Sequence, residues 1–404
     1  MAIMTKYLPH LAWLQSQNEK MLELVEKWAN INSGSYNLAG LELMASTLKQ
    51  DFQVLGGKIT EIPLPPTTSI DSLGNAIEER HGINLHIEKY PNAPFKVFLG
   101  GHMDTVYGSA SSFQNTERIA PNILKGPGVI DMKGGLAIML KALECLEKSP
   151  FAGKIGWEIL INCDEETGST ASAPLFATYA KRNQIGLIFE PSFSDGSLVN
   201  ARKGSSNYTI VSKGKAAHVG RDFHQGKNAI TALVRLLLKA EAFNDPQSGI
   251  IVNIGSITGG GPINVVPDLA IGKINVRMED MHQQRMIHAA FEKIVNDANH
   301  SGEGIFLLHQ QITRPPKPFD SIQKALFEKF AACAKELNTE IKWKATGGVC
   351  DGNLLAAEGL PVIDTLGAIG GNMHTDEEFL LIDSLVQRAT LVALFLMKLS
   401  EEKR

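Results

Sequence analysis

The 404-residue sequence has few cysteines and no long run of basic residues. Its four cysteines show no close spacing, which argues against a zinc ribbon or a disulfide framework and favours a reducing compartment. We therefore expect a cytoplasmic protein. The 39 basic and 43 acidic residues give a formal net charge of -4. Because no basic stretch could follow a phosphate backbone, no nucleic-acid partner is expected.

The sequence also lacks long apolar segments. Residues 1–15 have no apolar run of the signal-peptide type, and no segment is long enough to span a bilayer, so no membrane partner is expected. Charged residues make up 20% and hydrophobic residues 44%, which is typical of a globular protein with a substantial core. A chain of 404 residues exceeds one typical domain, so two domains are expected.

Short apolar runs alternate with helical patterns over much of the chain, which favours a mostly parallel sheet covered by helices. Buried strands are predicted at 96–99, 155–163, 185–189 and 361–364. Helices are predicted at 136–146, 172–182 and 382–399. The last strand and helix indicate that the sheet resumes near the C-terminus.

The middle of the chain has elements in the order β-α-β-β-α-β, which is typical of a ferredoxin-like sandwich. Its strands are predicted at 208–212, 250–257, 269–278 and 305–312, and its helices at 228–243 and 281–299. We therefore expect an α/β fold in which residues 203–314 form a small α+β domain. This domain would be inserted between two parts of the larger one, residues 1–202 and 315–404, with the proline-rich stretch 314–318 as the return linker.

His102 and Asp104 follow the first predicted buried strand, in the segment Gly-Gly-His-Met-Asp. Open α/β sheets bind ligands at the carboxyl ends of their strands. A metal-binding His needs its second ring nitrogen held in place, and a carboxylate two residues away can hold it. Taken alone, such a pair is more typical of a self-satisfied turn than of a metal site.

Two acidic motifs follow along the chain. Asp131 lies between glycines, where its carboxylate could bridge two cations or cap the next helix. Asp164, Glu165 and Glu166 follow the strand at 155–163, and three adjacent carboxylates need compensation by solvent or by cations. Because neighbouring side chains point in different directions, one Glu can bind metal while the other acts as a general base. A solvated acidic turn before a helix is the alternative.

Glu190 and His374 also lie just beyond predicted strands. Glu190 follows the strand at 185–189, and His374 lies in a glycine-rich loop after the strand at 361–364. Taken alone, neither residue indicates a metal site. Their recurrence at one edge of one sheet favours a shared site that is formed by His102, Asp131, Glu166, Glu190 and His374.

The chemistry of this set predicts a dinuclear metal centre. Three carboxylates contribute about -3 against about +4 from two divalent ions. Mixed imidazole and carboxylate ligation suits Zn²⁺, with Co²⁺ or Mn²⁺ as possible substitutes. Paired metals roughly 3.5 to 4 Å apart activate a water molecule and polarise a carbonyl group.

The motifs resemble those of the M20 family of metallopeptidases and deacylases, in the same order and over nearly the whole chain. The matched segments are 101–106 (GHMDTV), 126–135 (GPGVIDMKGG), 164–169 (DEETGS), 190–191 (EP) and 374–377 (HTDE). The resemblance implies one metal on His102 and Glu190, another on Glu166 and His374, and Asp131 between them. It also implies that Glu165 is the general base and that Asp104 orients His102.

The inserted domain resembles the family's lid, which usually also forms a homodimer. In the segment 214–220, His218 matches a residue that stabilises the oxyanion, often across the dimer. Asn264 and Arg277 match positions that help to hold the substrate, although Arg277 could also be a surface charge on a strand.

The segments 347–353 (GGVCDGN) and 361–367 (PVIDTLG) resemble the glutamate carboxypeptidase (carboxypeptidase G2-like) branch of the family. In that branch Arg314 would grip the free carboxylate of the substrate. No lysine lies at 191–200, where glutamate-specific members tend to have one, so the preference for glutamate is open.

The resemblance implies a hydrolase that cleaves an amide bond of a small peptide and releases an amino acid, as a carboxypeptidase does. An N-acyl amino acid deacylase, of the acetylornithine deacetylase or succinyl-diaminopimelate desuccinylase type, is the alternative. A non-catalytic metal-binding protein is disfavoured because the base and all five ligands are present. A dehydrogenase is disfavoured because no G-x-G-x-x-G opens a helix after a strand.

Overall fold

The computed structural model describes residues 2–402 and confirms the predicted α/β class with additional antiparallel sheets. The helices are α1 (Ala2–Thr5), α2 (Leu8–Gln15), α3 (Asn18–Ala29), α4 (Leu38–Phe52), α5 (Gly134–Glu147), α6 (Ala173–Ala180), α7 (Ala229–Glu241), α8 (Met281–His300), α9 (Ser321–Glu336), α10 (Asp351–Ala357) and α11 (Ile382–Glu402). Short helical turns lie at Gln53–Leu55, Val129–Lys133 and Phe223–Gln225.

The strands are β1 (Lys58–Pro63), β2 (Thr67–Ile70), β3 (Ala76–Glu79), β4 (Ile83–Lys89), β5 (Lys96–His102), β6 (Glu117–Ala120), β7 (Ile123–Lys125), β8 (Gly156–Asn162), β9 (Ile185–Ile188), β10 (Leu198–Arg202), β11 (Gly204–Lys213), β12 (Ile251–Gly259), β13 (Leu269–Met278), β14 (Ile305–Arg314), β15 (Trp343–Thr346), β16 (Val362–Ile363), β17 (Gly370–Gly371) and β18 (Phe379–Leu381).

Six strands form the central sheet in the order β1-β4-β8-β5-β9-β16. The neighbours β8, β5, β9 and β16 run parallel, whereas β4 runs antiparallel to both β1 and β8. Every residue of β8 is buried. Helices cover both faces of the sheet, and for this reason the central strands read as nearly continuous apolar runs rather than as alternating patterns.

Helices cover both faces of the central sheet, and one of them, α5, begins against the chain that leaves β9. The helices α2, α3, α5 and α11 pack on one face of the central sheet, while α6 and α10 pack on the other around Phe98 and Phe176. A Cβ atom at Gly135 would lie 2.0 Å from the carbonyl oxygen of Phe189. Glycine therefore lets α5 begin directly against the chain that leaves β9, so that the turn before α5 and the end of β9 lie side by side.

The second sheet is antiparallel and has the order β12-β13-β11-β14, which is the ferredoxin-like order. The helices α7 and α8 contribute to one core around Tyr208, Leu233 and Phe291. Arg314, expected in the return linker, is instead the last residue of β14 because the strand continues its pairing with β11 as far as Ser205. The domain boundaries at 203 and 314 remain a prediction, and we refer to β11–β14 with α7 and α8 as the lid.

A hairpin of β2 and β3 connects the larger part of the molecule to the lid. Ile70 of the hairpin packs in a small buried cluster with Val211 and Ile271 of the lid sheet. A Cβ atom at Gly74 would lie 2.7 Å from Val211, so the hairpin turn contacts the sheet closely. None of the helices described between residues 2 and 402 combines the length and the apolar character that a membrane crossing requires.

Candidate metal centre

The five predicted ligands lie close to one another beside the central sheet. His102 is the last residue of β5, Glu166 follows β8, and Glu190 follows β9. Asp131 lies in the turn Val129–Lys133 before α5, and His374 lies in the loop between β17 and β18. Parallel strands bring their carboxyl ends to the same edge, so residues far apart in the sequence meet there.

These side chains form two groups, each of which could hold a metal ion. One group is His102, Asp131 and Glu190, and the other is Asp131, Glu166 and His374. His102 Nε2 lies 3.0 Å from Asp131 Oδ1 and 3.9 Å from Glu190 Oε2. His374 Nε2 lies 3.4 Å from Asp131 Oδ2 and 3.4 Å from Glu166 Oε2. The two carboxylate oxygens of Asp131 therefore face different histidines, which is the arrangement expected of a bridging ligand.

Asp104 lies behind His102 and supports it. His102 Nδ1 lies 3.0 Å from the carbonyl oxygen of Asp104 and 3.4 Å from its Oδ1, so that Nε2 faces the metal site. The Asp104 carboxylate also accepts hydrogen bonds from the backbone N–H groups of Glu165 and Glu166 and from the Ser35 hydroxyl. One buried side chain thus positions a histidine from β5 and the acidic loop after β8.

Glu378 holds the turn that carries Asp131, and the sequence analysis missed it. Its carboxylate accepts hydrogen bonds from the backbone N–H groups of Gly128, Ile130 and Asp131 at 3.0 to 3.2 Å. The Tyr107 hydroxyl donates a further hydrogen bond of 2.7 Å. Glu378 ends a run of three acidic residues just after His374, and that run was the signal in the sequence.

Lys133 is a second residue that the sequence analysis missed. Its side chain is completely buried two residues after Asp131. The ammonium group donates a hydrogen bond of 2.8 Å to the Ser33 hydroxyl and another to the carbonyl oxygen of Met103. Burial lowers the pKa of Lys133 to about 8. The lysine therefore connects the Asp131 turn to the chain between His102 and Asp104.

The electrostatics of the site indicate a surplus of negative charge. Burial raises the pKa of Glu190 to about 8. Burial and the neighbouring Asp131 raise the pKa of Glu166. Hydrogen bonds to Asp131 and Glu166 raise the pKa of His374 to about 10. A divalent cation would neutralise this surplus, and two imidazoles with three carboxylates are a suitable donor set for Zn²⁺ or a similar ion. The residues present therefore fit a pair of divalent cations.

Glu165 is held by Arg314. Arg314 Nη2 donates hydrogen bonds to Glu165 Oε1 at 3.0 Å and to the Ser169 hydroxyl at 3.0 Å. Arg314 Nη1 donates to Asp351 Oδ1 at 2.8 Å. Burial, partly offset by the positive charge of Arg314, raises the pKa of Glu165 well above its usual range. Arg314 is itself only 2% exposed, so the structure places it behind the expected base.

The other expected site residues lie in the lid. His218 is exposed, and its Nδ1 accepts a hydrogen bond from the Gly220 N–H. Asn264 is also exposed, and its backbone carbonyl oxygen accepts a hydrogen bond from the Val219 N–H. Within the described chain, no hydrogen bond or ion pair joins His218 or Asn264 to the five ligands. Arg277 is half-buried and donates to the carbonyl oxygen of Gly347 at 3.4 Å.

An open cavity of about 520 Å³ adjoins the ligands. Asp131, Glu190 and His374 line it, so a bound molecule would have direct access to both metal positions. Arg202 also lines this cavity, and it forms a two-pronged ion pair with Asp364 at 3.0 and 3.2 Å. The volume is suited to a dipeptide or an N-acyl amino acid.

A third group of possible metal ligands, His86, Glu88 and Glu158, lies elsewhere in the described part of the chain. Here both oxygens of Glu158 already have donors: His86 and Arg182 at 2.8 Å and Asn183 at 2.7 Å. The carboxylate is thus saturated by its own chain, and we interpret this group as structural.

Comparison with known proteins agrees with the motifs. Residues 98–398 match the model of peptidase family M20/M25/M40. Carboxypeptidase G2 from Pseudomonas sp. (strain RS-16) is 27% identical over 401 residues, which cover 95% of this chain and 90% of that protein. Succinyl-diaminopimelate desuccinylase from Buchnera aphidicola subsp. Acyrthosiphon pisum (strain Tuc7) is 28% identical over 309 residues, or 71% of this chain and 79% of that protein.

A solved structure shares the fold. The M20 family metallo-carboxypeptidase Sso-CP2 from Sulfolobus solfataricus aligns with a TM-score of 0.72 and 16% sequence identity, over 93% of this chain and 98% of that chain. The family match extends over most of the sequence and includes every predicted metal ligand. The resemblance inferred from the motifs is therefore confirmed, and the chain belongs to peptidase family M20/M25/M40, as a hydrolase of peptide or linear amide bonds.

Proposed function

We propose that the protein is a carboxypeptidase-like hydrolase that uses two Zn²⁺ ions to release an amino acid from a small peptide. The observation that carries this proposal is the pair of ligand groups that share Asp131, beside a cavity of about 520 Å³. The overall similarity to carboxypeptidase G2, along nearly the full length of both chains, supports the choice of substrate class.

The five ligands divide between two positions in this proposal. His102 and Glu190 would hold one ion, Glu166 and His374 would hold the other, and Asp131 would serve both. When bound, such ions activate a water molecule at neutral pH and polarise the carbonyl oxygen of the substrate. Asp104 keeps the His102 ring in the orientation that this ligation requires.

Glu165 moves the proton in the proposed reaction. Its carboxylate accepts a proton from the attacking water and delivers it to the leaving amine nitrogen. The side chain suits this role because it is adjacent to Glu166 in sequence and is largely buried. The hydrogen bond from Arg314 fixes one carboxylate oxygen and leaves the other for the reacting groups.

The lid supplies the remaining functions. We assign stabilisation of the oxyanion to His218 and substrate binding to Asn264 and Arg277. Arg314, which the resemblance implied as a substrate ligand, is assigned to positioning Glu165, because it is buried and donates to that carboxylate. Exposure of His218 and Asn264 on adjoining loops supports a role at a surface that meets another chain. A homodimer formed through the lid would let the His218 of one protomer reach the metal centre of its partner.

A deacylase with the same chemistry is the second candidate. The observation in its favour is the similarity to succinyl-diaminopimelate desuccinylase over 309 residues. Its substrate would be an N-acyl amino acid, and the residues that bind the ions and move the proton would be the same. Zn²⁺ is the proposed ion in both cases, with Co²⁺ or Mn²⁺ as substitutes.

The proposal places the protein in the cytoplasm. All four cysteines are buried and unpaired, which suits a reducing compartment.

A substrate panel with metal analysis tests the proposed function. Purified metal-loaded protein is assayed for amino acid release from folylglutamate, N-benzoylglutamate, simple dipeptides, N-acetylornithine and N-succinyl-diaminopimelate. Cleavage of folylglutamate and the dipeptides supports the carboxypeptidase, and cleavage of the N-acyl amino acids without the dipeptides supports the deacylase. No hydrolysis of any compound by protein that contains two metal ions per chain would contradict both.

A further inference from the structure

A second cavity, of about 360 Å³, lies near the start of α11. This volume is within the range of small-molecule sites. Its walls come from α11, from the loop between β9 and β10, from the segment between α9 and β15, and from Ile369 just before β17. Four aliphatic side chains form the apolar part of the lining: Leu337, Ile341, Ile369 and Leu391.

Arg388 of α11 lines the same cavity and is only 5% exposed. Its Nη2 donates a hydrogen bond of 2.5 Å to the carbonyl oxygen of Gly196. Its Nη1 is buried and has no hydrogen-bond partner. Among residues 2–402, no carboxylate oxygen lies within 4.0 Å of the guanidinium. Burial of a charge without a partner raises the free energy of the folded state, so the burial of Arg388 requires a physical reason.

Two buried arginines near the metal centre differ from Arg388 in having carboxylate partners. Arg202 pairs with Asp364, and Arg314 pairs with Glu165 and Asp351. Burial alone lowers the pKa of Arg388 to about 10, with no contribution from a neighbouring charge. The chain thus supplies counter-charges to two buried guanidinium groups and none to the third.

Two carboxylates line the cavity, and both are exposed. Asp195 is occupied by Lys344 at 3.1 Å and by the Ser197 N–H at 3.0 Å. Glu340 forms no ion pair with Arg388 in the structure. The cavity therefore combines four aliphatic side chains with polar ones. Arg388 is its one buried cation, and the second cation, Lys342, is exposed.

We propose that this cavity is a binding site for a small monocarboxylate with an aliphatic chain. The carboxylate would accept hydrogen bonds from the guanidinium of Arg388, which is a strong and geometrically specific pairing. The aliphatic chain would pack against Ile341, Ile369 and the two leucines. A neutral ligand would leave the buried charge unbalanced, and a short anion without a chain would leave the apolar wall empty.

The proposed site is separate from the metal centre. Ser192 and Phe193 line the cavity beside the metal ligands, whereas the next turn of the same loop, Asp195 to Ser197, lines this one. Binding can be measured without turnover, so the inference does not depend on the proposed function.

Calorimetric titration of metal-loaded protein with hexanoate tests the proposal. Hexanoate should bind with one site per chain, whereas the isosteric hexanamide and acetate should bind at least about tenfold more weakly. His374→Ala should keep the hexanoate affinity, because that substitution affects only the metal centre. Crystals soaked with hexanoate should show its carboxylate on Arg388.

Two variants separate the cavity from other sites. Arg388→Gln removes the cation, and Ile341→Trp fills the chamber while it leaves Arg388 in place. Each should weaken hexanoate binding at least about tenfold, and Ile341→Trp decides the matter if Arg388→Gln does not fold. Absence of hexanoate binding, or binding that survives both changes, would overturn the proposal, and its loss in His374→Ala would place the hexanoate at the metal centre instead.

Discussion

Arg314 Nη2 lies 3.0 Å from Oε1 of Glu165, and this contact joins the last strand of the lid to the acidic loop of the metal centre. The guanidinium is also held by Asp351 at 2.8 Å, so its position is fixed from behind. The distance between the two residues along the sequence is 149 positions. The contact makes the orientation of the expected base dependent on a lid residue.

Arg314→Lys should lower kcat at least about tenfold and change KM little. A lysine ammonium cannot contact Glu165 and Asp351 together in the forked geometry of a guanidinium, so the base would lose its fixed position. Steady-state kinetics on the best substrate of the panel provide the test. The matched control is Arg277→Lys, which should raise KM because Arg277 is assigned to substrate binding. A KM increase in both variants with kcat unchanged would instead make Arg314 a direct substrate ligand.

Glu165→Ala should abolish turnover while the metal content persists. General acid-base catalysis contributes about a hundredfold to ten-thousandfold in rate, and Glu165 is the only residue assigned to that role. Hydrolysis is followed with the same substrate, and bound metal is measured by elemental analysis. Glu158→Ala is not a suitable control because Glu158 is structural, so the exposed Glu303→Ala serves instead and should be fully active. Near-normal hydrolysis by Glu165→Ala would contradict the assignment of Glu165 as the general base.

Asp131→Asn should reduce binding of both metal ions, whereas Glu190→Gln and His374→Ala should each weaken one. The reason is that Asp131 belongs to both ligand groups and the other two residues belong to one each. Metal per chain is measured after dialysis against limiting Zn²⁺. A chelator should stop hydrolysis by the native protein, and added Zn²⁺ should restore it. Loss of the same single ion from all three variants would contradict the bridging role.

His218→Ala and Glu165→Ala chains should complement each other when they are mixed. Each variant alone is expected to be nearly inactive. If the His218 of one protomer serves the metal centre of its partner, a mixed dimer regains one complete site. Hydrolysis is measured after the two variants are exchanged under conditions that dissociate and reform the dimer. If mixed dimers are shown to form but no hydrolysis returns, His218 does not act across a dimer.

Glu158→Gln should destabilise the protein at neutral pH, by about 2 kcal/mol, and less so in acid. Burial opposes ionisation of Glu158, but its hydrogen bonds from His86 and Asn183 and the charge of Arg182 lower its pKa. A lowered folded-state pKa means that the carboxylate stabilises the fold above its usual pKa, near 4.3, and loses this effect as the pH falls through the folded value.

Thermal unfolding of both proteins between pH 7 and pH 3.5 checks this expectation. The difference in melting temperature should be constant down to about pH 5 and should shrink below about pH 4. Metal content should be unchanged in Glu158→Gln, since this group is interpreted as structural. A difference that is independent of pH, or a lost metal ion, would contradict that interpretation.

The predictable part of the fold and site rested on local patterns. The apolar runs before His102, Glu166 and Glu190 predicted buried strands, and the shared direction of those strands predicted that their ends meet. The lid elements followed from the change of periodicity in the middle of the chain. The N-terminal helices and the antiparallel strand β4 were not predicted.

The contacts that orient the site could not be obtained in this way. The hydrogen bonds of Arg314 to Glu165 and of Glu378 to the Asp131 turn join residues that are 149 and 247 positions apart. No periodicity encodes such pairs, because they depend on how the two parts of the chain pack. Arg388 was missed for a related reason: it lies within an apolar helix, and only the structure shows that it has no partner.

The hydrogen bonds of Glu378 to the Asp131 turn affect which parts of such an enzyme can change during evolution. The side chain connects the segments before and after the lid directly, from the loop near His374 to the backbone at Gly128 and Asp131. These contacts hold Asp131 near the loop that carries His374, and they involve no residue of the lid. Changes in the lid outside Arg314 and His218 could therefore alter which molecules enter while the same chemistry continues beneath it.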